Sequence, residues 1–468
     1  MTYTNLSQAK TDYAAAFARW PWWLQWLIFT AVAVILYAPV LGNSFLSDDF
    51  LVIKKLGVDG KLNTNGFFRP LSDISLWLSF KIAGINPFIY YFTGIVIRGL
   101  SVFFLFRFCL RLQWTNDIGK LYGFSLAAAF LFLTYPFHNE SVAWILGRGA
   151  LMATTLALAA LLILTSNASE KWKITGVCCC YFAGLAAYET IFILPLMILA
   201  YMLFVRKPAR LIGLWQFFLL FTLAIHMVVR IAVSGSVGGE YISPFFERDA
   251  KEFFLSGLKA VSRLFIPPVN DPSLFLILVM VAAVPLLAII VIFYRKIRKE
   301  EKTKTIFHIL FVFLLITILT ACWGGVSTRT SESDRFLEFP AAFLSILASL
   351  VIFRSLTKKS AIFFSLLILF IYQIFFLQVN NQHWRLASAS VRGLLHMAAQ
   401  KKTGQKLLVF NLPDNIDGAY VFRNGLKDAL VLNHIDTAGI KIISGSSSSI
   451  SNDDTLIIYW QNGEWIKQ

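Results

Sequence analysis

Trp22-Trp23-Leu24-Gln25-Trp26-Leu27-Ile28-Phe29-Thr30-Ala31-Val32-Ala33-Val34-Ile35-Leu36-Tyr37-Ala38-Pro39-Val40-Leu41-Gly42, followed by Asn43-Ser44-Phe45-Leu46-Ser47-Asp48-Asp49-Phe50, decides the reading of this chain. The first part is an uncharged apolar run about as long as a bilayer-crossing helix requires. The second part ends in two adjacent carboxylates at the mouth of that span. Such charges are costly beside a membrane and repel each other's ionised form. One aspartate would be enough to cap a helix, so the pair points to chemical work: binding a metal ion, or taking a proton from a nucleophile.

Working outward, the same apolar pattern recurs. The chain has 468 residues, 57% hydrophobic and only 15% charged, where soluble domains carry about 25% charge. Candidate spans lie near 22–42, 87–110, 120–137, 149–166, 173–188, 190–205, 211–233, 273–294, 305–323, 337–354 and 361–379. The fold class this predicts is an all-α polytopic membrane protein with about eleven transmembrane helices. The formal net charge of +16 sits mostly in short linkers such as Arg206-Lys207-Pro208-Ala209-Arg210, Arg295–Lys299 and Arg354–Lys359. Lys171 and Lys173 flank another turn, and Lys10 and Arg19 precede the first span. With eleven spans these linkers share one side, as the positive-inside rule asks for the cytoplasmic face, so the basic balance reads as membrane orientation and not as nucleic-acid binding. Cys109, Cys178, Cys179, Cys180 and Cys322 lie in apolar runs without metal or disulfide spacing and read as small core residues. No cleavable signal peptide is expected; the first apolar run reads as a retained span.

The opposite face receives residues 43–86, 138–148, 234–272, 324–336 and the end of the chain. From residue 381 the composition changes. Leu407–Phe410 and Thr455–Trp460 read as strands, Arg423–Leu432 as a helix, and Ser444–Ser449 as a flexible turn. The expected organisation is a membrane domain over 1–380 and a small extracytoplasmic α/β domain over 381–468.

The unusual polar residues collect on that outer face. They are Asp48 and Asp49; Arg69 before Pro70; His138, Glu140 and Arg148; Glu189 between two apolar runs; and Arg329, Glu332, Asp334 and Arg335. Carboxylates, a histidine and arginines converging from separate loops suit a transfer from a phosphate-bearing donor. Plainer readings stand beside this one. Arg69 can anchor at the interface, Arg148 can snorkel from a span end, and Arg335 can pair with Glu332 or Glu338. Arg98 inside a span is either the partner of a buried acid or a lipid-phosphate contact. A transporter or flippase of a lipid-linked sugar or small anion is the alternative. It is disfavoured because the charges cluster at one face and no related halves are visible.

Asp48-Asp49 after the first span, Phe68-Arg69-Pro70-Leu71-Ser72, and Tyr135-Pro136-Phe137-His138-Asn139-Glu140-Ser141-Val142-Ala143-Trp144 with Gly147-Arg148 resemble the GT-C membrane glycosyltransferases. The likeness is nearest to the transmembrane-and-tetratricopeptide-repeat O-mannosyltransferases and their bacterial relatives. Tyr188-Glu189-Thr190 before Leu194-Pro195-Leu196 resembles that family's Lys-Glu motif, and Asp334–Pro340 its Glu-Arg-Tyr-Leu-Tyr-Leu-Pro. Three departures stand out: Tyr188 replaces a common lysine, Ile97-Arg98 replaces a common Leu-His, and the small tail stands in place of the repeats.

The resemblance implies a polyprenyl-phosphate sugar donor, a hydroxyl acceptor (protein, lipid glycan or polysaccharide) and inverting transfer on the non-cytoplasmic face. Asp48 would be the base and Asp49 its support. Arg335, Arg69 and Arg148 would bind the donor phosphate, with His138, Glu140 and Glu189 in supporting places. A divalent ion, Mg or Mn, would have Asp49, His138 and Glu140 as ligands. The expected setting is a bacterial inner membrane, with the site and the tail facing the periplasm or exterior.

Overall fold

The apolar runs become helices at Trp22–Tyr37, Pro87–Leu112, Ile118–Thr134, Arg148–Leu164, Glu170–Leu185, Leu194–Phe204, Ala209–Ser234, Pro272–Ile297, Glu301–Gly324, Glu338–Ser355 and Lys359–Ala398. Each of the eleven expected segments therefore overlaps one of them. The computed structural model describes residues 17, 19–62, 68–235, 249–402, 404–444, 455–461 and 463–467. Lys10, Phe67, Arg248 and the expected turn from Gly445 onward lie outside the described residues. Among the described residues, 6 helices are long and apolar enough to cross a membrane, and the protein is a multi-pass membrane protein. Local chemistry starts the helices where they start. Pro70, Pro87 and Pro272 occupy first turns, and Asn86, Asp117, Asp249 and Asp271 cap with their side chains, which satisfies amides that have no helical partner.

Two helices were not anticipated. Ala250–Arg263 forms within the outer segment 234–272. Pro70–Ala83 follows the first outer loop and inverts the soluble pattern: Ser72, Asp73 and Ser79 are buried while Ile74, Trp77, Leu78 and Ile82 are exposed. Its apolar side faces outward and its polar side faces the protein, the pattern of a helix lying in the membrane interface.

The last helix also differs from its expected span. It runs 40 residues, Lys359–Ala398, so the domain limit expected at 381 falls inside it. The apolar stretch gives way near Asn380, but the helical period persists: Trp384, Ala387, Val391, Leu394 and Ala398 are buried at three- and four-residue spacing. This second half is covered by the tail. There β1 (Lys406–Phe410), β2 (Asn415–Ile416), β3 (Ala419–Tyr420), β4 (Ile440–Ile443), β5 (Thr455–Gln461) and β6 (Glu464–Lys467) surround a helix at Leu426–Leu432. The main sheet runs β4-β1-β5-β6, with β1 parallel to both neighbours and β6 antiparallel to β5. The expected strands are β1 and β5, and the expected helix begins three residues late because Arg423–Gly425 are used elsewhere.

Candidate functional site

Asp48 and Asp49 open a six-residue helix, Asp48–Ile53, and differ in environment. Asp49 is fully buried, and its Oδ2 accepts from Leu46 N at 3.0 Å while Oδ1 has no hydrogen-bond partner. Burial, reinforced by Asp48, holds the Asp49 carboxyl well above the usual carboxylate range. Asp48 is half-buried, and among the described residues its carboxylate has no hydrogen-bond or ion-pair partner.

Most of the other candidates are tied into ion pairs. Arg335 donates to Glu140 through Nη1 and through its backbone N, the latter at 3.1 Å, so its partner is neither Glu332 nor Glu338. Its Nε reaches Tyr188 Oη at 3.0 Å, and its guanidinium lies over the Trp144 and Phe336 rings. Arg98 is the partner of a buried acid: its guanidinium forks onto Glu338 at 2.7 and 2.5 Å. Ser141 and His138 complete that cluster, with His138 Nδ1 3.3 Å from Glu338. Burial, and then the Arg98 charge, push the His138 imidazole well below its ordinary range, so it is neutral. Asp334 pairs with Arg263 at 2.7 and 2.8 Å. Glu332 pairs with Arg423 of the tail at 2.6 Å.

Positive charge exceeds negative around Glu189. Glu189 is shared by two arginines, Arg69 at 2.8 Å and Arg230 at 3.2 Å. Arg69 also stacks 4.1 Å above the Tyr188 ring, so the tyrosine at the lysine position touches both Arg69 and Arg335. Arg148 is buried and meets only neutral acceptors: Ser75 Oγ at 2.8 Å, Ser79 Oγ at 3.3 Å, Ser75 O and Tyr90 O. Arg148 Nε and Arg230 Nε and Nη2 are buried donors without an acceptor. A buried guanidinium with no carboxylate is costly unless an anion joins it. Arg69, Arg148 and Asp73 line a pocket of about 50 Å³ with Val52, one turn beyond Asp48. That is room for about one to two water molecules.

The residues do not form the expected metal set. Among the described residues, no group of three or more His, Cys, Asp or Glu side chains is placed to hold an ion. Asp49 is engaged by Leu46, His138 faces Glu338, and Glu140 holds Arg335.

Sequence reasoning missed Arg230, Arg263 and Tyr420, and named Glu338 only as a partner for Arg335. Arg230 did carry a signal, as an ionisable residue closing an apolar run. Tyr420 carried none. It lies in a strap, residues 413–425, that ties the tail to the segments carrying Ser47, Glu140 and Ser331. Tyr420 Oη donates to Glu140 Oε1 at 3.1 Å. Ser331 N and Oγ bond Asp417 O. Ser47 N bonds Val421 O at 2.9 Å, and Asn424 N bonds Ser47 Oγ at 3.3 Å. Ser47, immediately before the acidic pair, has φ 47°, a conformation that persists in a non-glycine residue only when its surroundings impose it. The strap imposes it at very close range. A Cβ on Gly418 would lie 2.5 Å from Ser331 N, and one on Gly425 2.4 Å from Ser47 O.

Gly425→Val is therefore expected to free the Asp48 loop, raising hydrogen exchange of amides 46–50 about tenfold or more. Gly463→Ala, where the added Cβ meets nothing within 4 Å, serves as the control. Equal exchange in both variants would show that the strap does not hold the loop.

No family model matches the chain. The chain is similar to protein O-mannosyl-transferases. F38B6.6 of Caenorhabditis elegans is 25% identical over 166 residues, 31% of this chain and 24% of that protein. TMTC1 of Mus musculus is 32% identical over 95 residues, 20% of this chain and 10% of that one. Tmtc2 of Xenopus laevis is 26% identical over 182 residues, 34% and 21% of the respective chains. The matched stretch spans about a quarter or less of the length of these curated relatives. Among solved structures, ArnT from Cupriavidus metallidurans bound to undecaprenyl phosphate aligns over 90% of this chain and 89% of its own, at 12% identity and a TM-score of 0.46. The resemblance to O-mannosyltransferases read from the sequence agrees with the names of the curated relatives.

Proposed function

We propose that this protein is an integral-membrane glycosyltransferase that moves a sugar from a polyprenyl-phosphate donor to a hydroxyl acceptor by a single inverting displacement. The observation that carries this reading is the pairing of an unpartnered Asp48 carboxylate with a nearby surplus of buried, acceptor-less arginine donors. Asp48 takes the proton of the acceptor hydroxyl. The acceptor oxygen bonds to the anomeric carbon, the carbon–oxygen bond to the phosphate breaks, and the polyprenyl phosphate leaves with the electron pair. Arg148 and Arg69, with Arg230 behind Glu189, receive that charge in a site with little water. Arg335 is a weaker phosphate ligand on this reading, because Glu140 already neutralises it. The basic linkers at Arg206–Arg210, Arg295–Lys299 and Arg354–Lys359 occupy the helix ends opposite the acidic pair, which supports a site on the non-cytoplasmic face. No step is routed through a metal.

The test is turnover of labelled polyprenyl-phosphate sugars by purified protein, with and without chelator. Arg148→Gln is expected to remain folded and to weaken donor binding about tenfold or more, the worth of a charged hydrogen-bond set. Unchanged donor affinity would remove Arg148 from the site. Donor binding without turnover in the wild type, given a full acceptor panel, would favour transport instead.

A further inference from the structure

A larger cavity lies on the other side of the acidic pair. It has a volume of about 520 Å³, within the range of about 300–1,000 Å³ typical of ligand sites and far above the roughly 50 Å³ at Arg148. Its walls come from the loop before Asp48, the turn at Ile85, the end of the long helix and the tail helix. We propose that this cavity binds the phosphate-bearing head of an amphiphile and, on the glycosyltransferase reading above, that it is the acceptor's seat.

Three features define the ligand. The polar lining is rich in donors: Arg392 and His396 stand one helical turn apart, Asn43 joins them, and among the described residues no carboxylate lines the cavity. Asn43 is 4% exposed and its buried Nδ2 has no hydrogen-bond partner. Arg392 Nη1 is fixed to Gly42 O at 3.0 Å and Ser388 Oγ at 2.8 Å, which holds the guanidinium at the lip with its other nitrogens available. A guanidinium with no carboxylate facing it favours an anion, and its fork of N–H groups suits phosphate oxygens.

The rest of the wall is apolar, including Phe45 and Phe50, and the lip at Ile85 is 47% exposed. Ile85 sits between the interfacial helix Pro70–Ala83 and the outer end of helix Pro87–Leu112. A hydrocarbon chain leaving the cavity there enters the bilayer interface. Phe45 and Phe50 flank Asp48 in the chain, so a head group in this cavity lies against the loop that carries the proposed base. On this reading the acceptor is a lipid-anchored molecule with a phosphate-bearing head and not a soluble polypeptide.

The experiment uses the full-length protein in phosphatidylcholine nanodiscs and counts bound ligand by native mass spectrometry. The probes are dioctanoyl phosphatidic acid, dioctanoylglycerol and inorganic phosphate. Phosphatidic acid is expected to bind. Arg392→Gln combined with His396→Gln, and separately Ala399→Phe, which narrows the cavity without changing charge, are each expected to weaken it about tenfold or more. Undiminished binding in both variants overturns the site. Equal binding of dioctanoylglycerol overturns the anionic head, and inorganic phosphate binding as tightly as phosphatidic acid overturns the amphiphile. Because binding is read directly, its failure leaves the glycosyltransferase proposal standing, and absent turnover leaves the binding result standing.

Discussion

Asparagine at position 48 is expected to cut sugar transfer by about a thousandfold, within the range attributed to a positioned general base, while the protein stays folded and still binds donor. The Asp48 carboxylate is half-buried and has no partner among the described residues, so its removal orphans no donor and the stability change should remain within about 0.5 kcal/mol. Asp49→Asn is the informative contrast. Asp49 is fully buried, its carboxyl is held well above the usual carboxylate range and its Oδ2 accepts from Leu46 N, and an asparagine oxygen can accept the same bond in nearly the same volume. Transfer should therefore fall steeply at 48 and only slightly at 49. Single-turnover assays with donor and acceptor, alongside thermal unfolding in detergent, separate the two. Full turnover in Asp48→Asn would end its role as base. An equal loss in both variants would mean that Asp49 acts as an ionised partner.

The membrane part of the fold was legible because apolar runs long enough to span leave the backbone one economical choice, a helix that satisfies its own hydrogen bonds. Helix Pro70–Ala83 was not legible. Its outward residues Ile74, Trp77, Leu78 and Ile82 look like a core stripe until the surroundings are known to be membrane interface. The 40-residue helix Lys359–Ala398 was truncated in the reading because hydropathy falls near Asn380, although the three- and four-residue spacing continues.

At the site, the residue types and their loops were readable, since ionisable groups at span ends are rare and costly. Their partners were not. Arg335 has Glu332 and Glu338 close in sequence but pairs with Glu140, 195 positions away. Arg98 finds Glu338 across 240 positions. Sequence proximity cannot rank such choices, because in a low-dielectric interior the pair that wins is the one the packing brings within about 3 Å. The pairing has a functional consequence: with Arg335, Arg98 and Arg263 each matched to its own carboxylate, Arg148 meets only neutral acceptors, and Arg69 and Arg230 share the single Glu189.

Glu140→Gln is expected to be the most damaging single change to stability. Both partners are buried, and Glu140 also accepts from Tyr420 of the strap and from the Arg335 backbone. Removing one member of a buried pair leaves an uncompensated charge and costs about 3–5 kcal/mol, a large share of a typical total of about 5–15 kcal/mol. Thermal unfolding of the purified protein should shift down sharply and the yield of monodisperse protein should fall. Arg335→Met alone should do the same by leaving Glu140 charged and buried. The double variant Glu140→Gln, Arg335→Met should recover most of the loss, because a buried pair exchanged whole for neutral groups of similar volume is often close to neutral in stability. That recovery gives a folded protein in which the role of Arg335 in the chemistry can be read separately. Donor affinity retained in the double variant makes Arg335 a strut that holds the 138–144 loop against the strap. Donor affinity lost at restored stability makes it a phosphate ligand after all, and the surplus at Arg148 would then be a second ligand and not the principal one.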